Sequence, residues 1–420
     1  MSILRTGAAA LLATTALAVT PAAAVDKSDV IATYMDIAAA KYADSVTAAK
    51  RLGDAVDALI AEPSEKTLAD ARAAWLAARV PYQQTEVYRF GNAIVDDWEG
   101  KVNAWPLDEG LIDYVAFGGA TDENPYGSLN IVGSTSLEVS GRTIDATEIT
   151  PALIEELHEL DAIEANVTTG YHAVEFLLWG QDLNGTGPGA GERPATDFDT
   201  ANCTNGNCDR RAQYLKVATD LTISDLEWMA AAWAPGGEAR AELEAKGDSG
   251  AIISMLTGMG SLSYGEQAGE RMKLGLLLND PEEEHDCFAD NTHNSHFYDG
   301  LGIRNVYVGR YVRIDGTVVE GPSLSDLVAE SDAETDARLM ASLNATMVAL
   351  GAIKTTAEAG MAYDQMLDPA NETGGALIQT AIDALVAQTR DIERAVSTLG
   401  LEAIAFEGSD SLDNPSAVFQ

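Results

Sequence analysis

The segment Gly170-Tyr171-His172-Ala173-Val174-Glu175 holds the sharpest chemistry in the sequence. On a helix, residues three apart share a face, with Cβ atoms roughly 5–6 Å apart, so His172 and Glu175 can grip one cation together. Imidazole with carboxylate is a donor set for zinc, iron or copper. Continued along the helix, that face runs Thr168, His172, Glu175 and Trp179, a stripe that ends in tryptophan and is predicted to point inward. Burying imidazole with carboxylate is costly unless the two are paired or bind metal, and a hydrogen-bonded, metal-free pair is the alternative. Neither zinc-protease spacing fits. HExxH is absent, and HxxEH fails because Phe176 stands where its second histidine would be.

A third donor must come from elsewhere. Glu86 is the choice, because it shares a helical face with Trp75, Arg79 and Tyr82, where a carboxylate needs a compensating charge. The alternative is an ion pair of Glu86 with Arg79 or Arg89. Asp108 and Asp113, set among Trp105, Leu107, Ile112 and Tyr114, are candidates for lining the pocket, as are Arg89 and Glu266. Asp108 has a second reading as a helix cap. The run from Glu282 to His296 carries three of the five histidines, but without helical spacing to aim them it reads as a solvated acidic loop. Glu266, Glu270 and Arg271 read as a local charge network, and His158, amid glutamates, as part of a solvated face.

The elements that must position these groups read mostly as helix. Alanine-rich residues 29–61 end at Glu62-Pro63-Ser64, and a second helix follows with Pro81 as its predicted kink. Residues 91–150 break into loops with a hairpin around Leu137–Ile144. Helices are expected from Pro151 through Trp179, around Tyr214–Trp228, from Ile252 to Leu278, and over 331–359 and 375–399, with a second hairpin at Arg313–Val318. The expected fold is all-α: two helical-bundle domains, 25–184 and 209–420, joined by a Gly-rich linker at 185–208.

The 420 residues carry 26 Lys+Arg against 66 Asp+Glu, a formal charge of −40, which argues against nucleic acid as a partner. No internal apolar run reaches the roughly 18 residues of a membrane span. Residues 1–24 read as a secretory signal peptide, with Arg5, an apolar stretch and then Ala22-Ala23-Ala24, so the chain is expected in the periplasm or cell envelope. Export permits disulfides. Cys203 and Cys208 can meet across Thr204-Asn205-Gly206-Asn207, or Cys287 can pair with either.

GYHAVEFLLWGQD and TEVYRFG, behind a signal peptide in a helical chain, resemble the imelysin family, also called peptidase family M75, whose signature is GxHxxE: here Gly170, His172 and Glu175. NAWPLDEGLIDYV, GERM, EEEHDCFADNTH and VYVGRYVRIDG resemble its iron-regulated protein A branch. The resemblance spans about Asp29 to Leu399. It implies two helical bundles with the GxHxxE site near their interface, a link to iron uptake in the bacterial envelope, and a metal site at His172 and Glu175, with Glu86 beside them and Asp108 and Asp113 in the pocket. Unlike many relatives, the chain has no lipobox cysteine. The expected function is binding of a transition metal, iron ahead of zinc or copper, with envelope iron-uptake components as partners. A metal-dependent peptidase and a metal-free interaction protein are the competing readings.

Overall fold

Alanine-rich and free of proline, residues 27–61 form one long helix, α1 (Lys27–Ala61), begun by Asp26, whose carboxylate accepts from the Ser28 amide. Ser64 and Thr67 cap the next helix reciprocally, starting α2 (Glu65–Gln83). α2 runs only two residues past Pro81 and gives way to a short 3-10 turn, Glu86–Tyr88. α3 (Ala93–Asn103), α4 (Gly170–Trp179), α5 (Cys208–Trp233) and α6 (Gly247–Ser261) follow, then α7 (Thr292–Val308), α8 (Ala333–Glu358) and α9 (Glu372–Thr398). The computed structural model describes residues 24–121 and 124–419. Apart from Ala24, the predicted signal peptide lies outside the described residues.

The fold is all-α with two small antiparallel hairpins, as the patterning predicts. In the first, β1 (Ser136–Val139) pairs with β2 (Arg142–Asp145) through Ser140 and Gly141, both at positive φ, the geometry of a tight two-residue turn. The second pairs β3 (Arg310–Val312) with β4 (Val318–Glu320). No described helix is long and apolar enough to cross a membrane.

α1 packs against α2 and α5, and α4 is enclosed by α2, α3 and α5. On the other side α7 lies against α2 and α8, and α8 against α9. The main apolar core includes Val30, Trp75, Leu177, Tyr214 and Ile252 and reaches Val396; a smaller one gathers Met272, Leu350, Tyr363 and Leu385. Within 185–208 lie a 3-10 turn at Ala195–Asp197 and the buried side chains of Arg193 and Asp197. Cys203 is bonded to Cys208, and Cys287 is a free, buried thiol.

Two expected helices come out differently. Pro151–Trp179 is not continuous. Helix Pro151–Leu157 stops, Glu159, Asp161 and Ala162 take positive φ, and α4 starts afresh at Gly170. Thr168 is therefore off the helix that carries His172, its hydroxyl donating to the Ile154 carbonyl. The stretch expected as a helix from Ile252 to Leu278 is helical throughout, but Leu262–Lys273 is π-helix, a rare form that shifts side chains around the axis and is frequent at functional sites.

Candidate metal centre

All ten residues of α4 are buried, which is why its sequence is apolar apart from the residues of interest. Gly170 opens it at φ +80°, against the backbone of α3. A Cβ there would sit 2.6 Å from the Val102 carbonyl, so only glycine lets the two helices approach this closely. α4 thereby carries His172 and Glu175 into the interior with no exposure at all.

His172 Nδ1 lies 3.0 Å from Glu175 Oε2, and Glu175 Oε1 accepts from the Ala289 amide at 3.0 Å. Both carboxyl oxygens are thus engaged, and they fix the ring from its Nδ1 side. His172 Nε2 is buried and has no hydrogen-bond partner. An imidazole held at one nitrogen by a carboxylate with the other left open is the arrangement of a metal-ligating histidine and its orienting group. Burial, followed by the Arg79 charge, holds His172 well below the usual histidine range, so the ring is neutral, the form that ligates. Burial, then Asp286, pushes the Glu175 carboxyl well up, which an added cation would counter.

The partners of His172 come from the acidic segment read from sequence as a solvated loop. That reading is corrected: Glu284, His285 and Asp286 are buried, and His293 and His296 stand on α7. One donor atom from each of His172, His285 and Asp286 lies within 4.8 Å of the others. The imidazole rings of His172 and His285 are 4.7 Å apart, and the Trp105 ring lies tilted against His172 at 5.1 Å. His285 Nδ1 is also without a partner. Asp286 accepts from Arg79 at 2.8 Å and from Asn291 at 2.7 Å, and also from Ser295. Burial would raise this carboxyl, but Arg79 and the other neighbours outweigh it and hold Asp286 below its ordinary value. Arg79 is itself positioned by Asn103 and by contact with the Trp75, Tyr82 and Tyr171 rings.

Glu86, the expected third donor, is placed elsewhere. Its carboxylate accepts from Arg271 at 2.7 Å, in a buried ionic cluster where Arg271 also meets Glu266 at 2.8 Å and Asp299 at 3.1 Å. The compensating charge expected for Glu86 exists, but the π-helix supplies it, not Arg79 or Arg89. Arg89 pairs with Asp96 and reaches Glu99 and Glu266, each at 3.5 Å. Burial first, then Glu86, push Glu99 up to about 7. This cluster adjoins the candidate centre, since Arg271 is among the charges that bear on His172 and His285.

Asp113 is buried far from that role, clamped by Arg193 at 2.8 Å and Arg211 at 2.6 Å. Asp108 precedes the short helix Glu109–Ile112 without a side-chain cap and accepts from Asn124. His158 is not on a solvated face: its ring is half-buried between the Gly100 carbonyl and the Thr168 amide. Outside the centre a cleft of about 710 Å³ is lined by Trp105, His285, Arg89, Glu266 and Arg271, with exposed Asp97, Glu159, Glu164 and Glu270 at its rim.

Two imidazoles and one carboxylate fit a first-row metal. Two histidines and one carboxylate are the donor types of non-haem ferrous sites, and zinc accepts the same donors. The orphaned buried nitrogens of His172 and His285 are the structural mark of that fit.

Comparison with known proteins agrees with the motifs. The imelysin (peptidase M75) family model matches residues 38–392. A solved structure described as an iron-regulated protein A precursor from Parabacteroides distasonis superposes with a TM-score of 0.64 at 21% identity, over 89% of this chain and 95% of that one. An imelysin-like protein from Psychrobacter arcticus superposes at 0.54 and 16% identity, over 92% and 100%. No curated protein matches. By the extent of the family match, the chain belongs to the imelysin family.

Proposed function

We propose that this imelysin-family chain is an exported metal-binding protein of the bacterial envelope, serving iron acquisition, with His172, His285 and Asp286 as its ligands. Glu175 acts through His172, orienting the ring, and Arg79 fixes Asp286. Iron is favoured by the donor set and by the description of the Parabacteroides distasonis relative as iron-regulated. Zinc and copper are the other candidates, and envelope iron-uptake components the expected partners. The observation that carries the reading is the buried convergence of His172, His285 and Asp286, one donor atom from each within 4.8 Å of the others, with His172 Nε2 and His285 Nδ1 partnerless. The expected bundle domains, 25–184 and 209–420, would each contribute to the site: His172 and Glu175 from one, His285 and Asp286 from the other.

Hydrolysis with Glu175 as the base is disfavoured because both of its oxygens are already occupied, one by His172 and one by the Ala289 amide. A metal-dependent peptidase needs a carboxylate free to take a proton from water. The test is metal analysis of protein recovered from its native compartment, followed by titration of the stripped protein with ferrous iron, zinc and copper. His172→Ala and Asp286→Asn should each abolish tight binding. Affinity equal to wild type in both would overturn the assignment.

A further inference from the structure

The two oxygens of Asp286 are held differently. Oδ2 accepts from Asn291 and Ser295, which stand five and nine residues further along the chain, whereas Oδ1, 3.9 Å from His172 Nδ1, accepts from Arg79 of α2. Arg79 donates to that oxygen from Nη2 at 2.8 Å and to Asn103 Oδ1 from Nη1 at 2.6 Å, while its Nε has no partner. A guanidinium is a rigid planar fork, so these two bonds, one on each outer nitrogen, set its plane. Whatever fixes the Asn103 oxygen therefore also fixes the donor that Asp286 receives.

That role falls to Glu99, one turn earlier on α3, whose Oε1 accepts from Asn103 Nδ2 at 3.0 Å. Glu99, Asn103, Arg79 and Asp286 are all buried, and the first two line the cleft that reaches His285. The direction of every bond in the series follows from what each group can do. An ionised carboxylate only accepts, so Asn103 turns its NH2 to Glu99, and its oxygen is left for a guanidinium that only donates. A neutral carboxyl at position 99 can donate as well as accept and so admits either orientation of the Asn103 amide, one of which sets NH2 against the guanidinium. Facing Glu99 are Glu86 and Arg89 around the 3-10 turn, Glu266 and Arg271 from the π-helix, Tyr82 from α2 and Tyr42 from α1. With its pKa raised to about 7 by burial and then by Glu86, Glu99 populates both charge states near neutrality.

We infer that Glu99 is a positioning residue of the metal centre, acting through Asn103 and Arg79 on the ligand Asp286. The inference rests on the assignment of Asp286 as a ligand. Ionised Glu99 holds the series in one direction and keeps the Arg79 donor on Oδ1; neutral Glu99 releases that constraint. Metal affinity is therefore higher above the Glu99 pKa than below it, and the group that sets the difference lies in the wall of the cleft, outside the ligand set. A Glu99–Asn103 contact that served only as a pair four residues apart on a helix would support α3 and leave metal binding untouched.

Cobalt(II) titration of the stripped mature chain, on the alkaline and the acid side of about pH 7, tests this. Glu99→Gln should weaken binding about tenfold on the alkaline side, the low end of what loss of an orienting partner does, and the gap to wild type should close to about twofold on the acid side. Exchanging charge and amide, Glu99→Gln with Asn103→Asp, gives Arg79 a carboxylate and that carboxylate an amide donor. The double variant should return to within about twofold of wild type on the alkaline side and bind more tightly than wild type on the acid side. Melting without metal reports that each variant is folded. Equal affinity of Glu99→Gln and wild type, a gap that does not change with pH, or a double variant no better than Glu99→Gln would each overturn the inference. Cobalt binding that survives His172→Ala and Asp286→Asn overturns the metal assignment itself, whereas binding that those variants abolish and Glu99→Gln leaves intact overturns the role of Glu99 alone.

Discussion

Two buried polar clusters in this protein look alike in composition and differ in what they leave unfinished. Around Asp113, two carboxylates meet two guanidiniums. Asp113 takes Arg193 at 2.8 Å and Arg211 at 2.6 and 3.1 Å, while Asp197 takes Arg193 at 3.1 Å and is also held by Tyr114 and Asn205. Charge balances, and every carboxylate oxygen of the pair has a donor. Around His172, the Arg79 guanidinium pairs with Asp286, and two imidazole nitrogens, His172 Nε2 and His285 Nδ1, remain empty. Burial of charge is common to both, so burial alone does not mark function. What separates them is the kind of atom left open: beside Asp113 only the Nε and Nη2 donors of Arg193, which cannot hold a cation, whereas beside His172 ring nitrogens that can carry a ligating lone pair.

The largest expected effect tests the closed cluster. Asp113→Ala strands two buried guanidiniums, and loss of one partner from such a set costs about 3–5 kcal/mol. Urea unfolding should show that loss, with metal affinity unchanged in the protein that remains folded. If Asp113→Ala instead removed metal binding at full stability, the contrast would be wrong. The open cluster should behave in the opposite way. Ligand that binds the native state at a hundredfold its dissociation constant stabilises it by about 2.7 kcal/mol. Calorimetry should find that gain for the metal in wild type and in Asp113→Asn, and lose it in His172→Ala.

A smaller effect separates ligand from orienting group. In Glu175→Gln the amide can present its oxygen to His172 or to the Ala289 N–H, but not both, so the ring loses either its anchor or its tautomer. Removal of such an orienting partner typically weakens metal affinity by about 10–100-fold, or about 1.4–2.7 kcal/mol. Affinity within twofold of wild type would show that Glu175 has no hold on the ring. A loss as complete as that of His172→Ala would make Glu175 a ligand in its own right.

Most of the long helices, both hairpins and the His172–Glu175 pair are legible in the sequence, because each rests on local periodicity or a turn dipeptide, whereas α3 and α7 fall where the sequence reads as loop. The break at 158–169 is not. Glu159, Asp161 and Ala162 take positive φ without the glycines that announce such turns, and apolar spacing carries on through them. Likewise a π-helix leaves no mark in a 3.6-residue pattern, yet it is what aims Arg271 at Glu86. A carboxylate among Trp75, Arg79 and Tyr82 needs a partner, and for Glu86 that partner, Arg271, lies 185 residues away. His285 and Asp286 were visible as residue types, but their pairing with His172 is a matter of tertiary approach, with no local spacing to reveal it.

The smallest expected effect concerns how a cation reaches the open cluster. Asp97, Glu159, Glu164 and Glu270 are exposed at the rim of the cleft that His285 lines, and they touch none of the proposed ligands. Their contribution is the field they set up, which raises local cation concentration and with it the association rate. Replacing all four by their amides should slow metal association several-fold at low ionic strength and leave the dissociation rate unchanged. The difference should fade as salt is raised, because the screening length falls from about 10 Å at 0.1 M to about 3 Å at 1 M. Stopped-flow measurement across that range decides the matter. An association rate indifferent to both substitution and salt would mean that ions do not enter through this cleft. A changed dissociation rate would mean that the rim carboxylates coordinate the ion directly.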